Sequence, residues 1–225
     1  MIIFFDLDGT LIDSTKPIVS SLKLALKDIK INLDDNEIKK LIGKSLEEMF
    51  ATMGVKNEQI KEVVRLYRQY YKDIYKIHTT LLPQAKEAVE LAHKFAKVGL
   101  VTTKAHIFAK EILNDFHILN YFDVIVGGDE VKKCKPNPEP IFKALSILAN
   151  KETTLSKECL QEIFEFDKVY MIGDTLNDTQ AAKNAGVKAL VTLFEYADLS
   201  NFDNENDIIF NTPLECVEYI IKNNK

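Results

Sequence analysis

Apolar positions along this chain fall into two patterns that take turns: short unbroken runs, and runs spaced at helical intervals. Met1-Ile2-Ile3-Phe4-Phe5 is five apolar residues in a row. That is the signature of a strand buried on both faces, as in a parallel sheet. Val98–Val101, Phe122–Val126, Val169–Ile172 and Ala189–Leu193 predict four more strands. Helical spacing fills the intervals at about 84–97, 105–116, 138–149 and 178–185, and Pro213–Lys222 predicts a closing helix. Strands alternating with helices of this length predict βαβ units. The fold class is therefore α/β, a doubly wound, Rossmann-like parallel sheet. The polar stretch Ser200–Asp207 predicts a surface loop.

One interval breaks the rhythm. Residues 15–81 hold no strand-like run but four helical ones, Pro17–Ile29, Asp35–Leu41, Ser45–Met53 and Glu58–Ile77. In the last, Ile60, Val63, Val64, Tyr67, Tyr71 and Ile74 follow a period close to 3.6. A crossover between parallel strands needs only a dozen or so residues. The interval therefore predicts a small helical domain, 15–81, inserted into a core formed by 1–14 and 82–225. Tyr67, Tyr70, Tyr71 and Tyr75 read as core and surface of that insert rather than as a stacking platform for ligand.

Bulk properties narrow the classes. The chain has 225 residues, 46% of them hydrophobic and 28% charged, with a formal charge of −5. Dispersed basic residues and net negative charge argue against nucleic acid or an anionic membrane as partner. The N-terminal apolar run is too short for a secretory signal, and no run approaches a membrane span. Cys134, Cys159 and Cys216 are odd in number and in no metal-ligand spacing, which points to a reducing, cytoplasmic setting. His78, His93, His106 and His117 lie in no ligand spacing either. We expect a monomer or weak dimer acting on a small soluble molecule.

Chemistry gathers where the predicted strands end, the edge at which open α/β sheets bind ligands. The first strand runs into Asp6-Leu7-Asp8-Gly9-Thr10. Side chains two apart on extended backbone share a side, so Asp6 and Asp8 are expected in one small volume, where their mutual repulsion needs a cation, a lysine or a shared proton. The second strand ends in Thr102-Thr103-Lys104, a hydroxyl at a helix N-terminus that suits an anion, although threonine is also a good helix cap. Lys135 stands in Lys133-Cys134-Lys135-Pro136-Asn137-Pro138, where prolines stiffen the backbone. The fourth turn is Gly173-Asp174-Thr175-Leu176-Asn177-Asp178; Asp178 has a competing role as N-cap of a helix Thr179–Asn184. Carboxylates with little soft ligand chemistry suit Mg2+. The lysine, hydroxyls and helix N-termini complement a phosphate.

These motifs carry a resemblance. Asp6–Ser14, Val101–Lys104, Lys135–Pro138, and Gly173–Asp178 with Ala181–Gly186 resemble the four motifs of the haloacid dehalogenase-like hydrolase superfamily, in its phosphoglycolate-phosphatase and β-phosphoglucomutase branch. The resemblance covers nearly the whole chain. It implies Asp6 as nucleophile and Asp8 as general acid and base, with Thr102 and Lys135 holding the phosphoryl group. It implies Mg2+ on Asp6, the Asp8 backbone carbonyl and Asp174, with Asp178 in support. The remaining expected phosphate or substrate contacts are Gly9, Thr10, Thr103 and Lys44, and the helical insert corresponds to the family's cap of the first type.

The expected activity is Mg2+-dependent hydrolysis of a small phosphate monoester through an aspartyl phosphate. The alternatives are a phosphomutase, a nucleotidase or pyrophosphatase, and, in a different class, a non-catalytic phosphate-ligand-binding module. A dehalogenase has no need of a second aspartate to protonate an ester oxygen. Three departures stand out. Thr103 replaces an asparagine, and Leu46 replaces the arginine that the mutase branch carries, which counts against a mutase. The connection 150–167 is also longer than usual.

Overall fold

The computed structural model describes residues 1–193, 202 and 207–224; apart from Phe202 and Asp207, the expected loop at Ser200–Asp207 lies outside them. The chain forms two compact units, Met1–Ile12 with Leu81–Lys225, and Asp13–Thr80. The divisions fall after Ile12 and Thr80, against the expected 14 and 81.

In the first unit, β1 (Ile2–Phe5) lies between β4 (Lys97–Val101) and β6 (Val169–Gly173). With β5 (Val124–Val126), β7 (Lys188–Thr192) and β8 (Ile209–Phe210) they make a six-stranded sheet in the order β5-β4-β1-β6-β7-β8. Every pairing in it is parallel. The apolar run that predicted β1 is buried along its whole length. Ile2 and Phe4 join Val124, Val126, Ile141, Leu145, Ala181 and Ala185 in one cluster. Most of its helical members come from α7 (Glu139–Leu148) and α9 (Leu176–Ala185). Ile3 and Phe5 have the opposite parity and are fully buried as well, so both faces of the sheet are covered. Among the other helices, α5 (Ala85–His93) packs on β4 and α10 (Pro213–Asn223) on β7, and the two pack on each other.

Several elements differ from the sequence expectation. The helix expected over 84–97 stops at His93, because Lys97 is already β4, paired with Ile2 and donating its N–H to the Met1 carbonyl. The long connection 150–167 contains a helix of its own, α8 (Lys157–Ile163), capped by the Ser156 hydroxyl. The sixth strand, β8, is two residues long and was not expected, its apolar run being only Ile208-Ile209-Phe210. α6 (His106–Asp115) is not capped by Thr102; the His106 N–H donates to Asp129 Oδ1 at 2.8 Å.

The second unit is helical: α1 (Thr15–Asp28), α2 (Asp35–Lys39), α3 (Leu46–Thr52) and α4 (Asn57–His78). Both short helices begin with a reciprocal cap, Asp34 with Glu37 and Ser45 with Glu48. α1 and α3 pack on α4. The buried stripe of α4 is Val63, Val64, Tyr67, Tyr71 and Tyr75. Consecutive tyrosine rings along it stack at 5.5 and 5.4 Å between centroids, and Phe50 of α3 meets Tyr67 edge-on at 6.3 Å. Tyr70 instead donates from its hydroxyl to Asp28. The two short strands where the chain crosses between units, β2 (Ile12–Asp13) and β3 (Thr80–Leu81), pair in a separate two-stranded sheet. Among the described residues no helix is long and apolar enough to cross a membrane.

Because Tyr71 is stacked on both sides and 1% exposed, Tyr71→Ala is expected to destabilise the helical unit by about 3–5 kcal/mol. Tyr70→Phe removes one surface hydrogen bond and should change stability by about 1 kcal/mol or less. Urea unfolding of the two variants tests this contrast.

Candidate active site

The register of the central strands explains how distant motifs meet. Phe5 stands opposite Leu100 on one side and Ile172 on the other. The residues that follow each of these, leading to Asp6, Thr102 and Asp174, therefore leave the sheet at one edge. The Asp6 N–H still donates to the Ile172 carbonyl at 2.9 Å, fixing the first turn to the fourth.

At this edge Asp6, Asp174 and Asp178 each place a carboxylate oxygen within 4.8 Å of the others. These are the three side chains expected around the metal. The carboxylate neighbours of Asp6 are the acids of the fourth turn, while Asp8 points its own carboxylate at Lys104 Nζ, 3.1 Å away. The reason is local: strand geometry ends at Phe5, so the alternation that would aim Asp6 and Asp8 alike no longer applies. Asp8 remains close enough to push up the pKa of Asp6.

Two glycines permit the crowding. Gly9 has φ +85°, and a Cβ there would collide with the Asp174 carboxylate. A Cβ on Gly173 would collide with Asp178.

Lys135 is the counter-charge. Of the lysines in its segment, Lys132 and Lys133 are exposed, whereas Lys135 is 2% exposed. Its turn is fixed by Glu139, which accepts from the N–H groups of Lys132 and Lys133 at 2.9 and 3.1 Å, and by Asn184, which donates to the Pro136 carbonyl at 3.0 Å. Lys135 Nζ donates to Asp178 Oδ1 at 2.5 Å and to the Val101 carbonyl at 2.9 Å. It also lies 2.7 Å from Asp6 Oδ1. That last contact is a close ion pair, although the geometry at the buried Asp6 Oδ1 falls short of a well-directed hydrogen bond. Asp178 is committed on both oxygens, with Oδ2 taking the Thr175 N–H at 3.0 Å and the Thr175 hydroxyl at 2.6 Å. It is therefore not the N-cap of α9. Thr175 is, and Asp178 is the third helical residue, closing a reciprocal cap.

The electrostatics show a deficit of positive charge. Burial, reinforced by Asp178 and Asp8 against the pull of Lys135, raises the pKa of Asp6 from 3.8 to about 7. Burial, with Asp178 and Asp6 behind it, also holds Asp174 well above the carboxylate range. For Lys135, burial alone would lower the pKa, but Asp178 and Asp6 outweigh it and raise it. Three clustered carboxylates facing one close lysine, with Asp6 Oδ1 buried and short of a well-directed hydrogen bond, fit a hard divalent cation with oxygen ligands. Asp6 and Asp174 are the residues best placed to hold it.

The other expected groups find distinct places. Thr102 is buried, and its Oγ1 accepts from the Lys104 N–H at 3.2 Å, which leaves the hydroxyl hydrogen for a ligand. Thr103 is half-buried beside it. Gly9 and Thr10, expected against phosphate, serve the first turn instead. Their N–H groups donate to the carbonyls of Ile12 and Leu7, and the Thr10 hydroxyl donates to Asp174 Oδ1 at 3.0 Å. Lys44 belongs to the helical unit, exposed between α2 and α3. Lys104 had no expected role, and its ion pair with Asp8, with side chains 6% and 10% exposed, is the feature that sequence reasoning missed. The only signal was its place directly after the second turn.

Comparison with known proteins follows the same outline. Residues 3–192 match the family model described as haloacid dehalogenase-like hydrolase. A phosphoglycolate phosphatase of Aquifex aeolicus is 33% identical over 203 residues, covering 89% of this chain and 88% of the relative. The pyrophosphatase PpaX of Bacillus cereus is 33% identical over 192 residues, covering 83% and 80%. Among solved structures, a haloacid dehalogenase-like hydrolase from Streptococcus pneumoniae superposes with a TM-score of 0.77 at 26% identity, covering 97% of each chain.

Asp6 binds its proton more tightly folded than unfolded, so the metal-free protein should lose stability as pH rises from 3.8 towards about 7. A divalent cation should reverse that loss. At a hundredfold excess over its dissociation constant it contributes about 2.7 kcal/mol, or several degrees of melting temperature. The shift should be larger at about pH 7.5 than at about pH 5, where protons compete for the carboxylates. Asp174→Asn should stabilise the metal-free protein at about pH 7.5 and abolish the shift. Thermal melts with Mg2+ or EDTA check both; a shift independent of pH, or one that survives Asp174→Asn, contradicts this reading.

Proposed function

The chain belongs to the haloacid dehalogenase-like hydrolase family, and on that premise we propose that it is a divalent-metal-dependent phosphatase of small phosphate monoesters. The observation that carries the proposal is the buried Asp6, with Lys135 at 2.7 Å and an oxygen that takes no directed hydrogen bond. An acid so placed is a poised nucleophile, not a structural group, because a structural carboxylate would have its lone pairs satisfied.

In this mechanism the phosphoryl group lies against Lys135 and the Thr102 hydroxyl, and ionised Asp6 attacks phosphorus in line. The P–O bond to the leaving group breaks as the Asp6–P bond forms. Asp8 gives its proton to the departing oxygen. Asp8 then takes a proton from water, which attacks the aspartyl phosphate, releasing phosphate and restoring Asp6. Asp6 and Asp174, with the Asp8 carbonyl, would hold Mg2+, which supplies Lewis-acid charge to the phosphoryl oxygens and lowers the proton affinity of Asp6. Thr10 orients Asp174, and Asp178 orients Lys135. Phosphoryl transfer leans on positioning and charge, which is what this assembly provides.

The helical unit, Asp13–Thr80, is proposed as the part that selects substrate, with Lys44 as a candidate contact. The names of the two curated relatives favour phosphoglycolate or pyrophosphate over a sugar phosphate, and Leu46 argues against mutase chemistry.

With p-nitrophenyl phosphate, turnover should require Mg2+, stop with EDTA, and fall at least a thousandfold in Asp6→Asn. Lys135→Met should cost about a hundredfold or more in kcat, in line with removing one group that stabilises transition-state charge. Steady-state assays of the folded variants decide it, and undiminished turnover by Asp6→Asn would remove Asp6 as the nucleophile.

A further inference from the structure

Lys104 lies beside the chemistry but has no part in the mechanism above. Its ammonium is 3.1 Å from Asp8 Oδ1, with the lysine side chain 6% and the aspartate side chain 10% exposed. Its backbone N–H is bound to the Thr102 hydroxyl, so the loop carrying it is tied to a proposed phosphoryl contact. Lys135, the other cation at this edge, is hemmed in by Asp6, Asp178 and the Val101 carbonyl.

We propose that Lys104 forms a subsite for the leaving group and selects phosphate esters whose leaving group carries a negative charge next to the scissile oxygen. This rests on the phosphatase reading and names the substrate class for the same site. A proton donor must come within hydrogen-bond reach, roughly 3 Å, of the atom it protonates. Asp8 therefore marks where the leaving oxygen sits, and Lys104 places a positive charge about one further hydrogen-bond length away. A carboxylate or phosphate one or two bonds from that oxygen falls within its reach.

Charge balance also calls for such a group. An anionic leaving group entering this edge meets the clustered carboxylates of Asp6, Asp174 and Asp178, and like charges at short range in a buried site disfavour binding. A cation on the leaving-group side offsets that repulsion and rewards an anion over a neutral group. The two names borne by the curated relatives share this chemistry. Phosphoglycolate loses glycolate, with a carboxylate one carbon from the oxygen, and pyrophosphate loses phosphate. A sugar phosphate offers only hydroxyls there.

The test compares 2-phosphoglycolate with 2-hydroxyethyl phosphate, which keeps the chain length and replaces the carboxylate with a neutral hydroxymethyl group. Wild type with Mg2+ should prefer the anionic ester in kcat/KM. Lys104→Met should lower that preference at least tenfold, through a larger loss on 2-phosphoglycolate than on the neutral ester, and Lys104→Arg should keep part of it. Equal losses on both esters would show that Lys104 acts only by positioning Asp8, and would overturn the inference while leaving the phosphatase reading intact. A wild type that prefers the neutral ester overturns it as well. No turnover of either ester or of p-nitrophenyl phosphate by wild type overturns the phosphatase reading and this inference with it. If Lys104→Met does not fold, inhibition of wild type supplies the same answer. Glycolate should inhibit hydrolysis of the neutral ester at concentrations where ethylene glycol does not, and equal inhibition by the two sinks the proposal.

Discussion

Everything at the functional edge depends on one imbalance: three carboxylates, Asp6, Asp174 and Asp178, gathered around a single buried ammonium, that of Lys135. A fold optimised only for stability would not keep it, since burying unpaired charge is among the most expensive things a protein does. The parallel sheet makes it possible. β1 is central, its neighbours carry the other acids and the backbone carbonyl that holds Lys135, and the register brings three strand ends level. Gly9 and Gly173 remove the side-chain atoms that would otherwise keep the turns apart.

Within that imbalance the acids divide their work. Asp178 is tied to Lys135 and Thr175 and is a strut. Asp174 is oriented by Thr10 and fits a metal ligand. Asp6 keeps a buried oxygen without a well-directed hydrogen bond, which suits the nucleophile proposed for it. Asp8 is drawn off to Lys104, outside the triad, where a proton shuttle can face a leaving group without competing for the cation. A stability deficit in the metal-free state and readiness to bind a cation are then one property seen from two sides.

Much of this was legible in the residues because its signals are local. The strands β1, β4, β6 and β7 announce themselves as apolar runs, and the turns that follow hold the acids, the hydroxyl and the lysine within a few residues. The helical unit was legible from periodicity, Val63, Val64, Tyr67 and Tyr71 lying on the buried side of α4. Features set by distant partners were not legible. β8 is two residues whose strand character comes from pairing with β7. The buried side of α8 is Leu160 alone, too little for a period. Asp178 was legible as a turn acid but not as the anchor of Lys135, a contact across 43 positions of sequence. Asp8 was legible as a neighbour of Asp6, but not that its carboxylate turns to Lys104, since alternation does not hold past the end of the strand. The Lys104–Asp8 pair depends on two loops meeting, which no spacing rule encodes.

The central claim is that Asp6 is the carboxylate that takes the phosphoryl group in this assembly. Its most direct test is chemical trapping. Protein quenched in acid during turnover of 2-phosphoglycolate or p-nitrophenyl phosphate with Mg2+ is treated with borohydride, which reduces an acyl-phosphorylated aspartate to homoserine, and peptide mass spectrometry then locates the change. The account predicts homoserine at Asp6 and at no other acid of the site. Reduction at Asp8 or Asp174, or turnover with no reducible acyl phosphate anywhere in the chain, would contradict it.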